Sequence, residues 1–343
     1  MTRIPLTDLD KKTVAEQLGL KPFQGRQIFQ WIHGKQVFDF AAMTNLAKPL
    51  RERLAAEASA SQLTLAEMQV SKRTGTKKAL FQLHDGETVE SVLIRDRDRA
   101  TICVSSQVGC ALKCSFCATG LAGFTRNLSP GEIVEQVLYF LRDEPGADRT
   151  PNIVYMGMGE PMRNYDNVVR SIRLLMDPDG VGIGARKITV STAGEIKEIA
   201  RFAAEDWQVR LSVSLHAANN ALRSELVPLN RKYPLERLHE TLVDYVERSE
   251  RQITFEWTLL DGVNDTPECA RELLRFCAGL KTSVNLIPWN PVSGLPYTPS
   301  PPDACARFQR MLEAGGLKVT MRKEKGQDID AACGQLRRTH GAA

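Results

Sequence analysis

Long apolar runs are missing from this chain. No segment is long and apolar enough to cross a bilayer as a helix, which excludes a helical membrane anchor. The opening Met1 to Asp8 also lacks the apolar core of a secretory signal, so a cytoplasmic chain with no membrane partner is expected. No H-x3-H pair and no second C-x2-C pair stands anywhere to complete a zinc knuckle. Cysteine is present but unevenly placed, at Cys103, Cys110, Cys114, Cys117, Cys269, Cys277, Cys305 and Cys333. Such clustering in a chain of 343 residues favours metal or catalytic use over a disulfide framework. The formal net charge of +4 suits a nucleic-acid partner without demanding one.

The sharpest local feature is the run Gly-Cys-Ala-Leu-Lys-Cys-Ser-Phe-Cys, which sets Cys110, Cys114 and Cys117 at C-x3-C-x2-C spacing directly after a β-like stretch. Four thiolates close a [4Fe–4S] cluster, one per iron. Three therefore leave one iron open to a substrate or cofactor, which points to chemistry rather than electron storage.

Four regions are expected. Residues 1–62 read as a small helical accessory module, with helical spacing over Leu9 to Leu20, Arg26 to His33 and Leu46 to Glu57. Residues 63–95 turn to alternation and read as a β-hairpin linker whose tip holds Lys72, Arg73, Lys77 and Lys78, a candidate phosphate contact. Residues 96–323 alternate strand and helix. The strands are expected at 100–105, 152–157, 187–192, 210–215, 253–260 and 282–287, with a seventh at 316–321. The helices are expected at 130–142, 165–176, 195–204, 234–248, 267–278 and 302–314. Six successive β/α units make an α/β fold, a partial (β/α)6 barrel whose site collects at the C-terminal ends of the strands. Residues 324–343 form a polar tail that carries Cys333.

Those strand ends are where polarity gathers. The cysteine loop follows the first strand, and Gly157, Gly159 and Glu160 end the second. Ser191 ends the third, Ser214 and His216 the fourth, and Asn290 the sixth. The glycines allow close backbone approach. Glu160 can pair with an ammonium, and the hydroxyls, imidazole and amide can bond a ribose, a carboxylate or a purine edge.

A cysteine loop of this spacing after the first strand of a six-unit barrel resembles the radical S-adenosylmethionine (SAM) superfamily. Five longer strings are similar to the RlmN/Cfr family of RNA adenine methyltransferases within it. These are Cys103-Val-Ser-Ser-Gln-Val-Gly-Cys-Ala-Leu-Lys-Cys-Ser-Phe-Cys, Met156-Gly-Met-Gly-Glu-Pro, Ser214-Leu-His-Ala, Leu226-Val-Pro-Leu-Asn and Asp328-Ile-Asp-Ala-Ala-Cys-Gly-Gln-Leu. With Trp31 and Met43-Thr-Asn-Leu, the resemblance covers nearly the whole chain.

The resemblance implies a [4Fe–4S] cluster on Cys110, Cys114 and Cys117, and two SAM molecules used per turnover. It places Gly159, Glu160, Ser191, Ser214, Leu215, His216 and Asn290 around SAM. It implies that Cys333 takes a methyl from one SAM and that a radical from the second activates it. The carbon then adds to C2 of adenine, Glu90 removes the C2 proton, and Cys103 frees the product by forming a disulfide with Cys333. By the same resemblance the RNA is 23S rRNA or tRNA, the electron donor is a protein such as flavodoxin, and the enzyme is a monomer. Read without the family, Cys103 is a small core residue at a strand end and Glu90 a solvated strand residue. Cys269, Cys277 and Cys305 match no motif and read as packing. Two rivals stay open: Cfr-type methylation at C8, against which Pro161 after Gly-Glu argues, and a non-catalytic RNA-binding protein with a structural metal.

Overall fold

The computed structural model describes residues 3–96, 99–121, 123–143, 150–323 and 325–336. Ten strands lie side by side in chain order across one sheet. They are β1 (Leu63–Val70), β2 (Lys77–Leu83), β3 (Thr88–Asp96), β4 (Arg99–Cys103), β5 (Asn152–Tyr155), β6 (Ile188–Thr192), β7 (Arg210–Ser214), β8 (Ile253–Leu259), β9 (Thr282–Pro288) and β10 (Val319–Met321). Pairing is antiparallel from β1 to β4 and parallel from β4 to β10. Among the described residues no ladder joins β10 back to β1, so the barrel is open.

Three helices precede the sheet: α1 (Lys11–Gln17), α2 (Pro22–Phe29) and α3 (Lys48–Glu57). Beyond a four-residue turn of helix at Ala118–Leu121, seven longer ones follow among the described residues: α4 (Pro130–Asp143), α5 (Tyr165–Met176), α6 (Ile196–Ala203), α7 (Asn220–Leu226), α8 (Leu235–Ser249), α9 (Pro267–Cys277) and α10 (Pro302–Ala314). Parallel neighbours need a crossover, and helices supply it. The helices cover one face of the parallel strands, where alternate residues such as Ile253, Phe255 and Trp257 are buried, while Glu256 and Thr258 between them line a cavity inside the barrel. Helix starts follow the local chemistry. The Asp10 carboxylate accepts the amides of Lys12 and Thr13 at 2.9 Å each, and the Thr266 hydroxyl caps α9 ahead of Pro267.

The N-terminal helices bury Ile28, Phe29 and Ile32, as their spacing predicts, and their core is continuous with that of the barrel. Lys11 bridges Asp177 and Asp179 beyond α5, and the Asp8 carboxylate accepts the Gly131 amide at the start of α4. Cys269, Cys277 and Cys305 are buried in α9 and α10, in the packing role expected of them.

The basic hairpin differs from its reading. The turn between β1 and β2 spans residues 71–76, so of the four cations Lys72 and Arg73 stand exposed on it. Lys77 and Lys78 belong to β2. Lys77 pairs with Asp143 of α4, and Lys78 is buried against Glu90. Alternation located the strands, but β1–β3 extend the barrel sheet instead of standing apart, and that turns Lys78 inward.

Candidate active site

A loop closed by a two-stranded clasp positions the three cysteines. Residues Gln107–Gly109 pair with Phe124–Asn127, and the Cys110 amide donates to Gly123 O at 2.8 Å. Gly109 has φ +74°, and a Cβ there would lie 1.9 Å from Gly123 O, so the clasp requires glycine. Within the loop the Ser115 amide donates to Leu226 O at 3.1 Å, and Trp289 Nε1 to Phe116 O at 2.9 Å. The loop is thereby tied to the barrel mouth.

Cys110, Cys114 and Cys117 open onto a cavity of about 930 Å³, its mouth included, at the C-terminal ends of the strands. Gly159, Glu160, Ser191, Ser214 and His216 line the same cavity, and so does Cys333 from the tail. These residues come from five separate segments of the chain, and the fold brings them to one chamber.

Each side chain has a definable state. Glu160 is buried; its carboxylate accepts the amides of Met162 at 3.0 Å and Ala193 at 2.8 Å. Burial nevertheless raises its pKa to about 7, and the nearby charge of Glu195 adds to the rise. A buried carboxylate facing a cavity in this condition suits a cationic ligand group. His216 is buried with φ +58°, and its Nδ1 accepts the Thr258 amide at 3.0 Å, which leaves the ring proton on Nε2. Burial, then Arg223, lowers its pKa to about 3, so the ring is neutral. The Ser191 and Ser214 hydroxyls lie 3.4 Å apart across β6 and β7.

Other expectations need correction. The glycine at 159 is forced by the protein's own packing: a Cβ on Gly159, at φ +100°, would lie 2.5 Å from Gln107 Cβ. Leu215 points into the core off the cavity; its amide donates to Glu256 O and its carbonyl accepts Arg223. Asn290 also lies off the main cavity, in an adjoining recess with Cys333 and Arg322. Its amide reaches Cys333 O at 3.5 Å and accepts Gln327 at 3.1 Å, so it holds the tail. Glu90 is buried, not solvated, and pairs with Lys78 Nζ at 3.0 Å.

Cys103 ends β4 and is buried off the cavity lining, yet the charges that act on it are those of Cys333 and Arg322. Burial pushes its thiol up to about 12. Arg322 lines the cavity, and its guanidinium is held charged by Cys333 first, then by Glu256 and Cys103. Neither Arg322 nor Glu256 carries a motif, so only their shared chamber reveals them.

The three loop cysteines are the donor set for an iron–sulfur cluster. All eight cysteines are free thiols. Burial raises the pKa of Cys110 to about 12 and those of Cys114 and Cys117 above the usual thiol range. Iron bonded to the sulfurs would make thiolate the stable form there. Among the described residues no three His, Cys, Asp or Glu side chains converge on one ion-sized point. Three thiols on one loop, open to one chamber, suit a cube with one iron left for another ligand. The residues fit the cluster.

Beneath the cavity Arg223 is 1% exposed. It donates to Ala193 O at 2.6 Å, Asn230 Oδ1 at 3.0 Å and Leu215 O at 3.2 Å, tying the ends of β6 and β7 together. Arg223→Met would strand those acceptors in the core and is expected to cost about 3 kcal/mol or more of stability. Urea denaturation checks this; a loss under about 1 kcal/mol would show the carbonyls satisfied without it.

Comparison with known proteins agrees with this geometry. Residues 4–60 match the model of the ribosomal RNA large subunit methyltransferase N-terminal domain, RlmN_N, and residues 104–277 match the radical SAM superfamily. A probable dual-specificity RNA methyltransferase RlmN of Desulfitobacterium hafniense is 45% identical, over 98% of this chain and 97% of its own. The dual-specificity RNA methyltransferase RlmN of Alkalilimnicola ehrlichii is 46% identical, over 96% and 93%. The crystal structure of a radical SAM methyltransferase from Sphaerobacter thermophilus superimposes with a TM-score of 0.94 at 46% identity, over 97% of this chain and 99% of that one. With the cysteine chamber and both domains matched, the chain belongs to the RlmN family of radical SAM RNA methyltransferases.

Proposed function

We propose that this enzyme methylates C2 of a specific adenine in 23S rRNA and of the adenine 3′ of the tRNA anticodon, with Cys333 as methyl carrier and Cys103 as resolving thiol. One observation carries the reading: Cys333, from the tail, shares a chamber with the three cysteines of the cluster loop. When bound, the cluster and SAM supply a transferable methyl and a carbon-centred radical, which an electron-poor ring carbon requires.

The chain's own residues do the rest. Cys110, Cys114 and Cys117 would hold the cluster. Glu160 would pair with the SAM ammonium, and Ser191, Ser214 and the Nε2 proton of His216 would orient its polar groups, with Gly159 shaping the wall. Leu215 and Asn290 support that wall and the tail from behind. Glu90 accepts the C2 proton, its carboxylate positioned by Lys78 Nζ at 3.0 Å. The odd electron left by the radical addition would return to the bound cluster; Cys103 then attacks the Cys333 sulfur as a thiolate, the S–S bond forms as the S–C bond breaks, and the released carbon takes a proton to become methyl. The resulting disulfide is transient and needs two electrons from an external reductant to reset. A flavodoxin-type protein is the proposed donor, and the enzyme is proposed to act as a monomer in the cytoplasm. Among the described residues no helix is long and apolar enough to cross a membrane. Residues 1–62 are proposed to contact RNA, joined by Lys72 and Arg73 at the hairpin tip, with residues 63–95 as linker, 96–323 as the SAM barrel and 324–343 as the catalytic tail. Arg337, Arg338 and His340, further candidates for RNA contact, lie outside the described residues.

Pro161, directly after Glu160, is the feature that favours C2 over C8. Mass spectrometry of nucleosides from treated rRNA and tRNA decides: 2-methyladenosine supports the proposal, and 8-methyladenosine assigns the Cfr-type reaction. Glu90→Gln is expected to slow RNA methylation about a hundredfold or more, the worth of a positioned proton acceptor. Methyl should still load onto Cys333. Wild-type turnover by this variant would remove Glu90 from the role.

A further inference from the structure

The antiparallel strands do more than widen the sheet. The tail bearing Cys333 is fixed from two sides. On one side the Ala118 amide donates to Gly334 O at 2.8 Å, and the Thr119 hydroxyl to Leu336 O at 2.6 Å. On the other, the Ser71 hydroxyl in the β1–β2 turn donates to the Asp328 carboxylate at 2.8 Å. Lys78 of β2 completes that side, its Nζ lying 3.4 Å from Asp330 O.

The same ammonium lies 3.0 Å from the Glu90 carboxylate. The register explains how. Leu80 stands opposite Glu90 in the β2–β3 ladder, and Lys78, two residues back, projects on the same face as Glu90's diagonal neighbour. Lys78 is 8% exposed and Glu90 5%, so the pair is shielded from water. A lysine sunk in the sheet, opposite the buried Val92, is costly unless it holds something in place. It holds two things.

We propose that Lys78 is a positioning residue for methyl transfer: one ammonium ties the Glu90 carboxylate to the Asp330 carbonyl, three residues before Cys333, and so sets the proton acceptor and the methyl-carrying thiol in register. The inference rests on the roles of Glu90 and Cys333 given above. An ammonium suits the task because its three donors reach a carboxylate and a carbonyl at once. A methionine fills the volume and ties neither.

The test uses full-length, iron-loaded protein and two measurements, hydrogen–deuterium exchange of peptides within 326–336 and RNA methylation rate. In Lys78→Met, tail exchange should quicken and methylation fall, each by about tenfold or more, the scale of one charge-assisted hydrogen bond. Lys78→Arg keeps the charge and should recover most of both. Should the methionine variant fail to fold, Lys78→Gln, which leaves a hydrogen-bonding end in the buried site, carries the same expectation. Tail exchange unchanged in the neutral variants overturns the proposal, whatever the methylation rate does. So does faster exchange with undiminished methylation. Glu90→Gln separates this from the reading beneath it. It should lose methylation while the tail stays protected, because the Asp330 tie remains. Full activity in that variant would sink the role of Glu90 and leave the exchange result to decide whether Lys78 anchors the tail.

Discussion

Cys333→Ala is expected to reduce RNA methylation to below about one thousandth of wild type, the scale seen when a covalent nucleophile is removed. Iron content and reductant-dependent SAM cleavage should survive. The separation follows from where the parts come from. The cluster thiols belong to the loop after β4, whereas Cys333 enters the chamber from the tail. The bonds that hold the tail near this position use backbone groups, Cys333 O from Asn290 and Gly334 O from Ala118, and alanine keeps them. The variant should therefore fold, load iron and cleave SAM, yet have no sulfur to carry a methyl. Measuring 5′-deoxyadenosine and methylated nucleoside in one reaction checks both halves. Methylation above a few per cent of wild type would mean that the methyl travels without Cys333, and the proposed route would fall.

The legible part of this molecule is the part set by local pattern. The helices at 165–176 and 302–314 end where their apolar stripes and prolines say. The strand at 152–155 stops two residues short of its expected end, where Met156 and Gly157 line the chamber, and the strand at 210–214 stops one short, at Leu215 in the core. The polar strand ends converge because parallel β/α order leaves them no other side. What stayed hidden depends on contacts between distant segments. Helix α7 is seven residues long, too short to show a period, and is held by the Asn219 cap and the Arg223 network. Lys78 reads as a hairpin-tip cation until the register with β3 is known. Glu90 reads as solvated because alternation reveals which residues share a face, not whether that face is covered. Arg322 and Glu256 have no signature, since their meaning comes from two cysteines on other elements. Leu215 shows the limit of a motif: it sits between Ser214 and His216 in sequence, and its side chain turns the other way.

Cys103→Ala is expected to trap RNA on the protein, at up to one RNA per chain, with multiple turnover lost. Cys103 is 6% exposed at the end of β4, so alanine removes one buried sulfur at a cost of about 1 kcal/mol, which a domain of this size tolerates. The steps before resolution do not use it. Cys333 would still take its methyl and the carbon would still join the base, but the sulfur–carbon bond would have no thiolate to break it. The resting thiol is protected from earlier reaction, because burial raises its pKa to about 12. Reactivity then requires a cation, and Arg322, acting on both Cys103 and Cys333, is the one in place. A denaturing gel should show a protein band of raised mass that RNase digestion lowers to a nucleotide remnant. Peptide mass spectrometry should place that remnant on Cys333. Normal repeated turnover by Cys103→Ala, with no such band, would show that the adduct is released by another group, and the pairing of these two cysteines would lose its purpose.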